Sequence, residues 1–268
     1  MKNIKVIVAT HKKYTMPNDP SYLPLHVGKD GNIDLGYLGD DSGDNISTKN
    51  PYFSELTGVY WAWKNLNSDY IGLVHYRRYF GNGKKNKNTF DNILSTKEIE
   101  ELLEETDVIL PKKRNYYIET LYSHYKNTLY IEPLDQTEKI INELYPEYTQ
   151  YFKLLHKRTS AHMFNMFIMK KSFFHKYCQW LFSILFELEK RIDVSQYDPF
   201  HSRFYGRISE LLLDIWIETN KVKYLEVPLL NMEKTNWLHK GGMFLRAKFT
   251  KKKYEKSFTK YSIFTGEL

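Results

Sequence analysis

Cysteine occurs once in the 268 residues, at Cys178, which excludes an internal disulfide and a cysteine-rich metal site. It lies in the apolar stretch 173–186, where burial as core filler is expected rather than nucleophilic chemistry. Long hydrophobic runs are lacking too. Near the start the longest is Val6-Ile7-Val8-Ala9, far below the ~20 residues that span a bilayer and too short for the apolar region of a signal peptide. A cytoplasmic protein is therefore expected. The sequence also has no Gly-x-Gly-x-x-Gly after its first apolar run, no phosphate loop ending Gly-Lys-Ser/Thr, no His-Glu-x-x-His and no Gly-x-Ser-x-Gly. Those absences remove the commonest dinucleotide, phosphate-loop, zinc-protease and acyl-serine chemistries. Aromatic residues, by contrast, make up 16% of a chain that is 42% hydrophobic and 26% charged. That is the composition of a packed core, not of a disordered chain, in one large domain or two small ones.

The net charge of +7 is unevenly spread. Residues 246–260 carry Arg246, Lys248, Lys251, Lys252, Lys253, Lys256 and Lys260 against Glu255 alone, a net +6. The remainder is nearly neutral, so a basic C-terminal segment needs explaining, not a globally basic coat. This divides the chain into residues 1–240 and a basic, aromatic segment 241–268.

Along the first part, Lys2 to Ala9 reads as a buried strand of a parallel sheet. Residues 14–50, rich in Pro, Gly, Asp and Asn, read as a long irregular stretch. A helix is expected over 51–65 with Ser54 as its N-cap, then a core strand over 70–74. A helix over 95–105 capped by Ser95 or Thr96 follows, then a strand over 107–110 stopped by Pro111. Helices are expected over 120–130 and 136–144, with Pro133 and Pro146 as breaks. The chain continues with a strand over 163–169, helices over 172–190 and 206–219, and a strand over 222–227. Alternating strands and helices define an α/β fold.

Strand ends are where open α/β sheets bind ligands. The strand over 70–74 runs directly into His75, Arg77 and Arg78, whose fixed charge and forked donors suit phosphate or a diphosphate leaving group. The bland alternative is an ion-pair cluster with acids such as Glu55. The end of the first strand, with Thr10, His11 and Lys13, can form the second lip of one crevice. The helix over 51–65 adds Glu55 and Lys64, while Tyr60 and Trp63 sit at core spacing and are expected to pack. A third group comprises His162, Asn165, Arg203, Arg207 and Glu210. The last three share one helical face, and Glu210 can act as a general base toward an alcohol or merely pair with Arg207. For metal there is no Asp-x-Asp. Asp40, Asp41 and Asp44 are reserve ligands for a divalent ion, with a solvated acidic turn as the commoner reading.

These motifs resemble a known family. His11-Lys12, Asp44-Asn45-Ile46-Ser47, Tyr60-Trp61-Ala62-Trp63-Lys64-Asn65 and His75-Tyr76-Arg77-Arg78-Tyr79 are similar to those of small bacterial glycosyltransferases from capsule and exopolysaccharide gene clusters, long catalogued as a domain of unknown function. Phe164 to Met169 and Arg203 to Leu212 resemble its later motifs, and the likeness covers roughly residues 4–235. The resemblance implies a single-domain GT-A-like, Rossmann-type sheet flanked by helices, hexosyltransferase activity, a UDP-linked sugar donor and a saccharide or lipid-linked acceptor. Some relatives are assigned galactofuranosyl transfer, which leaves the sugar here open. It further implies that Thr10, His11, Lys13, Glu55, Lys64, Arg77 and Arg78 bind the donor, and that His162, Asn165 and Arg203 bind the acceptor. Glu210, Arg207 and His75 are the catalytic candidates, with Glu210 as base if the anomeric centre is inverted. Where GT-A enzymes carry a metal-binding Asp-x-Asp this chain has His75-Tyr76-Arg77-Arg78, so fixed cations can neutralise the leaving group instead.

Two other functions compete with sugar transfer. The rings Phe249, Tyr254, Phe258 and Tyr261 among the lysines suit single-stranded nucleic acid in principle, but the basic charge is confined to that segment and no nucleic-acid partner is expected. A carbohydrate-binding protein without transfer is the other. The segment 246–264 instead suits an anionic membrane surface, because each Lys near such a leaflet contributes about 1 kcal/mol, making the enzyme peripheral on the inner face of the cell membrane. The full chain should co-sediment with anionic liposomes, less so in high salt, and truncation after Ala247 should abolish that binding. Equal sedimentation of both proteins would exclude the segment as an anchor.

Overall fold

The computed structural model describes residues 2–84 and 89–233; the basic segment 241–268 lies outside the described residues. The strands are β1 (Ile4–Thr10), β2 (Tyr22–His26), β3 (Leu38–Gly39), β4 (Tyr70–His75), β5 (Arg78–Phe80), β6 (Val108–Pro111), β7 (Arg114–Asn115), β8 (Ser160–Ala161), β9 (Phe167–Lys170), β10 (Leu225–Val227) and β11 (Leu229–Asn231). The helices are α1 (Asn50–Phe53), α2 (Leu56–Asn65), α3 (Thr96–Glu105), α4 (Leu121–Thr128), α5 (Glu132–Leu144), α6 (Thr149–Lys153), α7 (Lys171–Arg191) and α8 (Phe204–Thr219).

The main sheet has the order β10-β6-β9-β4-β1-β2-β3, with β5 joined to β4 and β11 to β5. β1 lies parallel to both β2 and β4, pairing Thr10 with His26 and Ala9 with His75. β9 alone within that path runs antiparallel to its neighbours β4 and β6. Its beginning therefore meets the edge where β1, β4 and β6 end. The period-two alternation of β1 divides the core between the two faces. Ile7 and Ala9 join Ile71, Leu73 and the residues of α1, α2, α7 and α8. Val6 and Val8 join Tyr22, Val74, Tyr79 and Ile99 on the other face. Each such side chain contributes roughly 1.5–3 kcal/mol through its burial. Cys178 is fully buried in α7, and burial raises its thiol well above the ordinary range, as befits core filler. Trp63 stacks on Phe182 and Tyr60 meets the same ring edge-on, so both rings fasten α2 to α7.

Four sequence expectations change. Residues 14–50 contain β2 and β3, because pairing along β1 imposes strand geometry on a segment whose composition suggests loop. The helix expected over 51–65 breaks at Ser54, whose φ of 54° is left-handed. Ser54 is the C-cap of α1, its N–H donating to the Asn50 carbonyl oxygen, and not the N-cap of α2; its hydroxyl accepts a hydrogen bond from Arg203 Nε at 3.0 Å. Pro133 is not a break but lies in the first turn of α5, where a missing N–H has no helical partner to lose. The strand expected over 163–169 begins only at Phe167, because Phe164 and Asn165 are left-handed, with φ of 75° and 54°. The other expected elements lie within a few residues of their positions, β5, β7, α6, β8 and β11 come in addition, and Ser95 forms a full capping box with Glu98 on α3.

At Gly72, β4 approaches β9 so closely that a Cβ would lie 2.8 Å from the Phe167 carbonyl oxygen and 2.9 Å from Ile168 Cγ1. Gly72→Ala should therefore cost about 1–3 kcal/mol by overpacking. Urea denaturation would register it as a lower midpoint with an unchanged slope.

Candidate functional site

The edge where β1, β4, β6 and β10 end and β9 begins forms a cleft bordered by the start of α8 and the break between α1 and α2. His75 closes β4, and its Nε2 lies 2.6 Å from the Phe164 carbonyl oxygen. A carbonyl can only accept, so Nε2 carries the proton and Nδ1 holds the lone pair in the neutral ring. Burial lowers the His75 pKa, opposed by Glu55 and reinforced by Arg78. Arg78 lies over the Phe164 ring at 4.4 Å. Arg77 covers Tyr76 at 4.8 Å and pairs with Glu233 at 3.2 Å. On α8, Arg207 rests on the Phe200 ring at 4.1 Å. A guanidinium group laid on an aromatic face can still present its edge as a forked donor, though that of Arg77 is engaged by Glu233.

Glu210, on the first half of α8, is only part-exposed, and burial pushes its carboxyl up to about 7. The charge of Glu55 raises it further, while Arg78, Arg114 and Arg207 pull it down. His11, edge-on to Tyr76, falls to about 4, through burial first and then the charges of Lys12, Arg77 and Arg203. Glu210 is half-buried and His11 is exposed, so both groups remain open to solvent. Two carboxylates thus sit within a frame of arginines, an arrangement that can hold a diphosphate and accept a proton beside it.

Not every expected residue reaches this point. Thr10 is buried and turned on its own chain, donating to the Lys12 carbonyl oxygen at 2.7 Å. Lys13 donates to the Leu35 carbonyl oxygen at 3.0 Å and lies over Tyr37, holding the loop after β2. Lys64 sits at the far end of α2, nine residues or roughly 13 Å along the helix from Glu55, near Asp44 and over Trp63 at 3.9 Å. His162 is fully buried; one ring nitrogen bonds the Asp214 carboxylate and the other lies 2.8 Å from Glu226. Asn165 is 1% exposed, with its amide committed to Glu55 and α8. Arg203 is exposed beside the cleft, bonded to Ser54. Sequence reasoning overlooked Arg114, on β7, which lies over Tyr116 at 4.8 Å and whose charge acts on Glu210 and Arg78. The run Lys112-Lys113-Arg114 after Pro111 was the available signal, since it follows a strand that ends at the same edge.

The donor set does not fit a divalent ion. The end of β4 presents cations. Asp40 is fully buried, accepting from the Gly28 and Lys29 N–H groups and from Ser47 Oγ at 2.5 Å. Asp41 is exposed, and Asp44 accepts from Tyr60 at 3.1 Å. Among the described residues no three His, Cys, Asp or Glu side chains converge on one point. A separate groove of about 580 Å³ opens at the opposite edge of the sheet, lined by Lys2, Asp69, Tyr70, Lys170, Lys171 and His175. Its lysines are engaged by Glu104, Asp107 and Asn67.

Sheet order, reversed strand and cleft together define a GT-A-like α/β fold. Residues 5–221 match the family described as a domain of unknown function, DUF4422, and the chain belongs to that family. Among solved structures it is similar to the apo form of WbbM, a bifunctional glycosyltransferase, with 32% sequence identity and a TM-score of 0.80. The likeness covers 87% of this chain and 46% of that one, so the chain spans less than half of its length. No curated protein matches the chain.

The Glu210 carboxyl is neutral more readily in the folded protein than in the unfolded one, where its pKa is about 4.5. Stability from this group is complete below the unfolded value and is lost as pH rises through about 7. Glu210→Gln should accordingly raise the melting temperature at pH 8 and leave it nearly unchanged at pH 5. An equal shift at both pH values would contradict the raised pKa.

Proposed function

We propose that the chain is a glycosyltransferase that moves a hexose from a nucleoside diphosphate, UDP-linked, to a hydroxyl of a saccharide or lipid-linked oligosaccharide in capsule or exopolysaccharide synthesis. The observation that carries this reading is the half-buried Glu210 carboxyl, raised to about 7 within a frame of arginines, in a fold similar to a bifunctional glycosyltransferase. A carboxyl with that pKa is substantially deprotonated near neutral pH and remains basic enough to take a proton.

In an inverting displacement the acceptor oxygen forms a bond to the anomeric carbon as the carbon–oxygen bond to the diphosphate breaks. The hydroxyl proton passes to Glu210, and the negative charge that develops on the leaving group is met by Arg77, Arg78 and Arg114. Donors already in position cost no reorganisation as that charge appears. Arg207 restrains Glu210 electrostatically, and His75, neutral and donating through Nε2 to Phe164, leaves Nδ1 to accept from a donor hydroxyl. Among the described residues no helix is long and apolar enough to cross a membrane. A lipid-linked acceptor would then be met at the surface through the segment 246–264.

A thermal-shift screen against nucleoside diphosphates and their sugars should find one donor that raises the melting temperature, since binding to the native state alone stabilises it. Arg78→Ala should weaken that donor by about 2–5 kcal/mol. Glu210→Gln should bind it normally and transfer roughly 10²–10⁴-fold more slowly. Donor binding without release of nucleoside diphosphate would make this a carbohydrate-binding protein. Full transfer by Glu210→Gln would move the base elsewhere.

A further inference from the structure

Two left-handed breaks meet under the cleft. One is Ser54, immediately before Glu55; the other is the consecutive pair Phe164 and Asn165. A phenylalanine at φ 75° is unfavourable, because its Cβ crowds the backbone in that region, and such strain persists only where the surroundings over-determine it. Most of the turn is engaged, the Asn165 Oδ1 being buried without a hydrogen-bond partner. The Phe164 carbonyl accepts from His75 at 2.6 Å, and the Phe164 ring lies beneath Arg78. Asn165 Nδ2 donates to Glu55 Oε1 at 2.7 Å and to the Gly206 carbonyl oxygen, in the first turn of α8, at 3.0 Å. Both amide protons are spent on acceptors, which fixes the amide's orientation, and an aspartate could make neither bond in its ionised form.

We propose that Phe164 and Asn165 are the positioning residues of the cleft: the turn sets His75 and Arg78 through its backbone and ring, and the Asn165 amide ties Glu55 to the start of α8, holding it near Glu210. Asn165 is buried and does not itself reach a ligand. What the positioned groups catalyse rests on the transferase reading; the tie between Glu55 and Glu210 does not. Glu210 is faced by Glu55 ahead of α2, Arg78 on β5, Arg114 on β7 and Arg207 on α8. Of these, only Glu55 raises its pKa. Loosening Glu55 should therefore let Glu210 ionise at lower pH.

The test follows the carboxyl carbons of the ¹³C-labelled full-length protein by NMR across pH, with Glu55→Gln and Glu210→Gln assigning the two signals. Asn165→Gly suits a left-handed residue and removes the side chain with both of its bonds, while Asn165→Ser can replace just one of the two. The expected result is Glu210 titrating near 7 in the native protein and at lower pH in Asn165→Gly, the direction also given by Glu55→Gln. Asn165→Ser should fall between. A Glu210 titration that is unchanged in Asn165→Gly, or in Asn165→Ser should the glycine protein fail to fold, would overturn the proposal. So would a shift with Glu55→Gln but none with either Asn165 variant. Turnover gives the second readout: with the nucleotide sugar found in the thermal screen, Asn165→Gly should lower kcat by about 10²-fold, the scale of a small misplacement of reacting groups, with little change in donor KM. If no nucleotide sugar is turned over, the transferase reading fails while the titration still judges the tie.

Discussion

The reversal of β9 is the constraint on which the cleft depends. Because β9 runs antiparallel between β4 and β6, the chain enters it at the edge where the parallel strands finish. Arriving there from β8, the backbone must turn sharply within the space between His162 and Phe167, and it does so through two left-handed residues. That turn lies directly beneath the charged ends of β4 and β5. A parallel strand in the same place would bring only its C-terminal end to this edge, with a helix to follow, and no side chain would bridge Glu55 to α8.

Charge is the second theme, and the site is expensive in it. Arginine and carboxylate groups lose several kcal/mol of hydration each when they are drawn into protein surroundings. Aromatic support offsets part of that cost: Tyr76, Phe164, Tyr116 and Phe200 each lie under a guanidinium group. Glu55 and Glu210 reduce the repulsion among the cations, yet they repel one another, which adds to burial in making Glu210 ionise at higher pH. Such an arrangement contributes little to folding that apolar residues could not supply better. Fixed positive charge of this kind suits a ligand that brings its own negative charge.

The His162 cluster illustrates a different use of similar groups. Its imidazole lies between Asp214 and Glu226, with Lys113 3.8 Å from Asp214. It joins β10 to α8 one helical turn beyond Glu210. Burial tends to raise Asp214, but the bonds and charges of His162 and Lys113 hold it below the ordinary carboxylate range. Histidine at a strand end thus takes two forms here. His75 bonds a carbonyl through Nε2, whereas both nitrogens of the buried His162 are taken by carboxylates.

Local chemistry was legible in the sequence. Alternating β-branched residues mark β1, an apolar run marks β4, Ser95 marks the start of α3, and the cations His75, Arg77 and Arg78 fall directly after a core strand. These signals depend on neighbours in the chain, so the sequence by itself determined them, together with the α/β class and the fate of Cys178. Tertiary structure alone decided which polar residues share the cleft. Thr10, Lys13 and Lys64 had suitable chemistry but found partners elsewhere, while Arg114 joined from a strand end that had drawn no attention. It also decided the left-handed conformations of Ser54, Phe164 and Asn165, which no local propensity favours for serine or phenylalanine. The physical reason is that a bond such as Asn165 to Glu55 links residues 110 positions apart. Its existence depends on strand order and direction, and those follow from how the whole core packs.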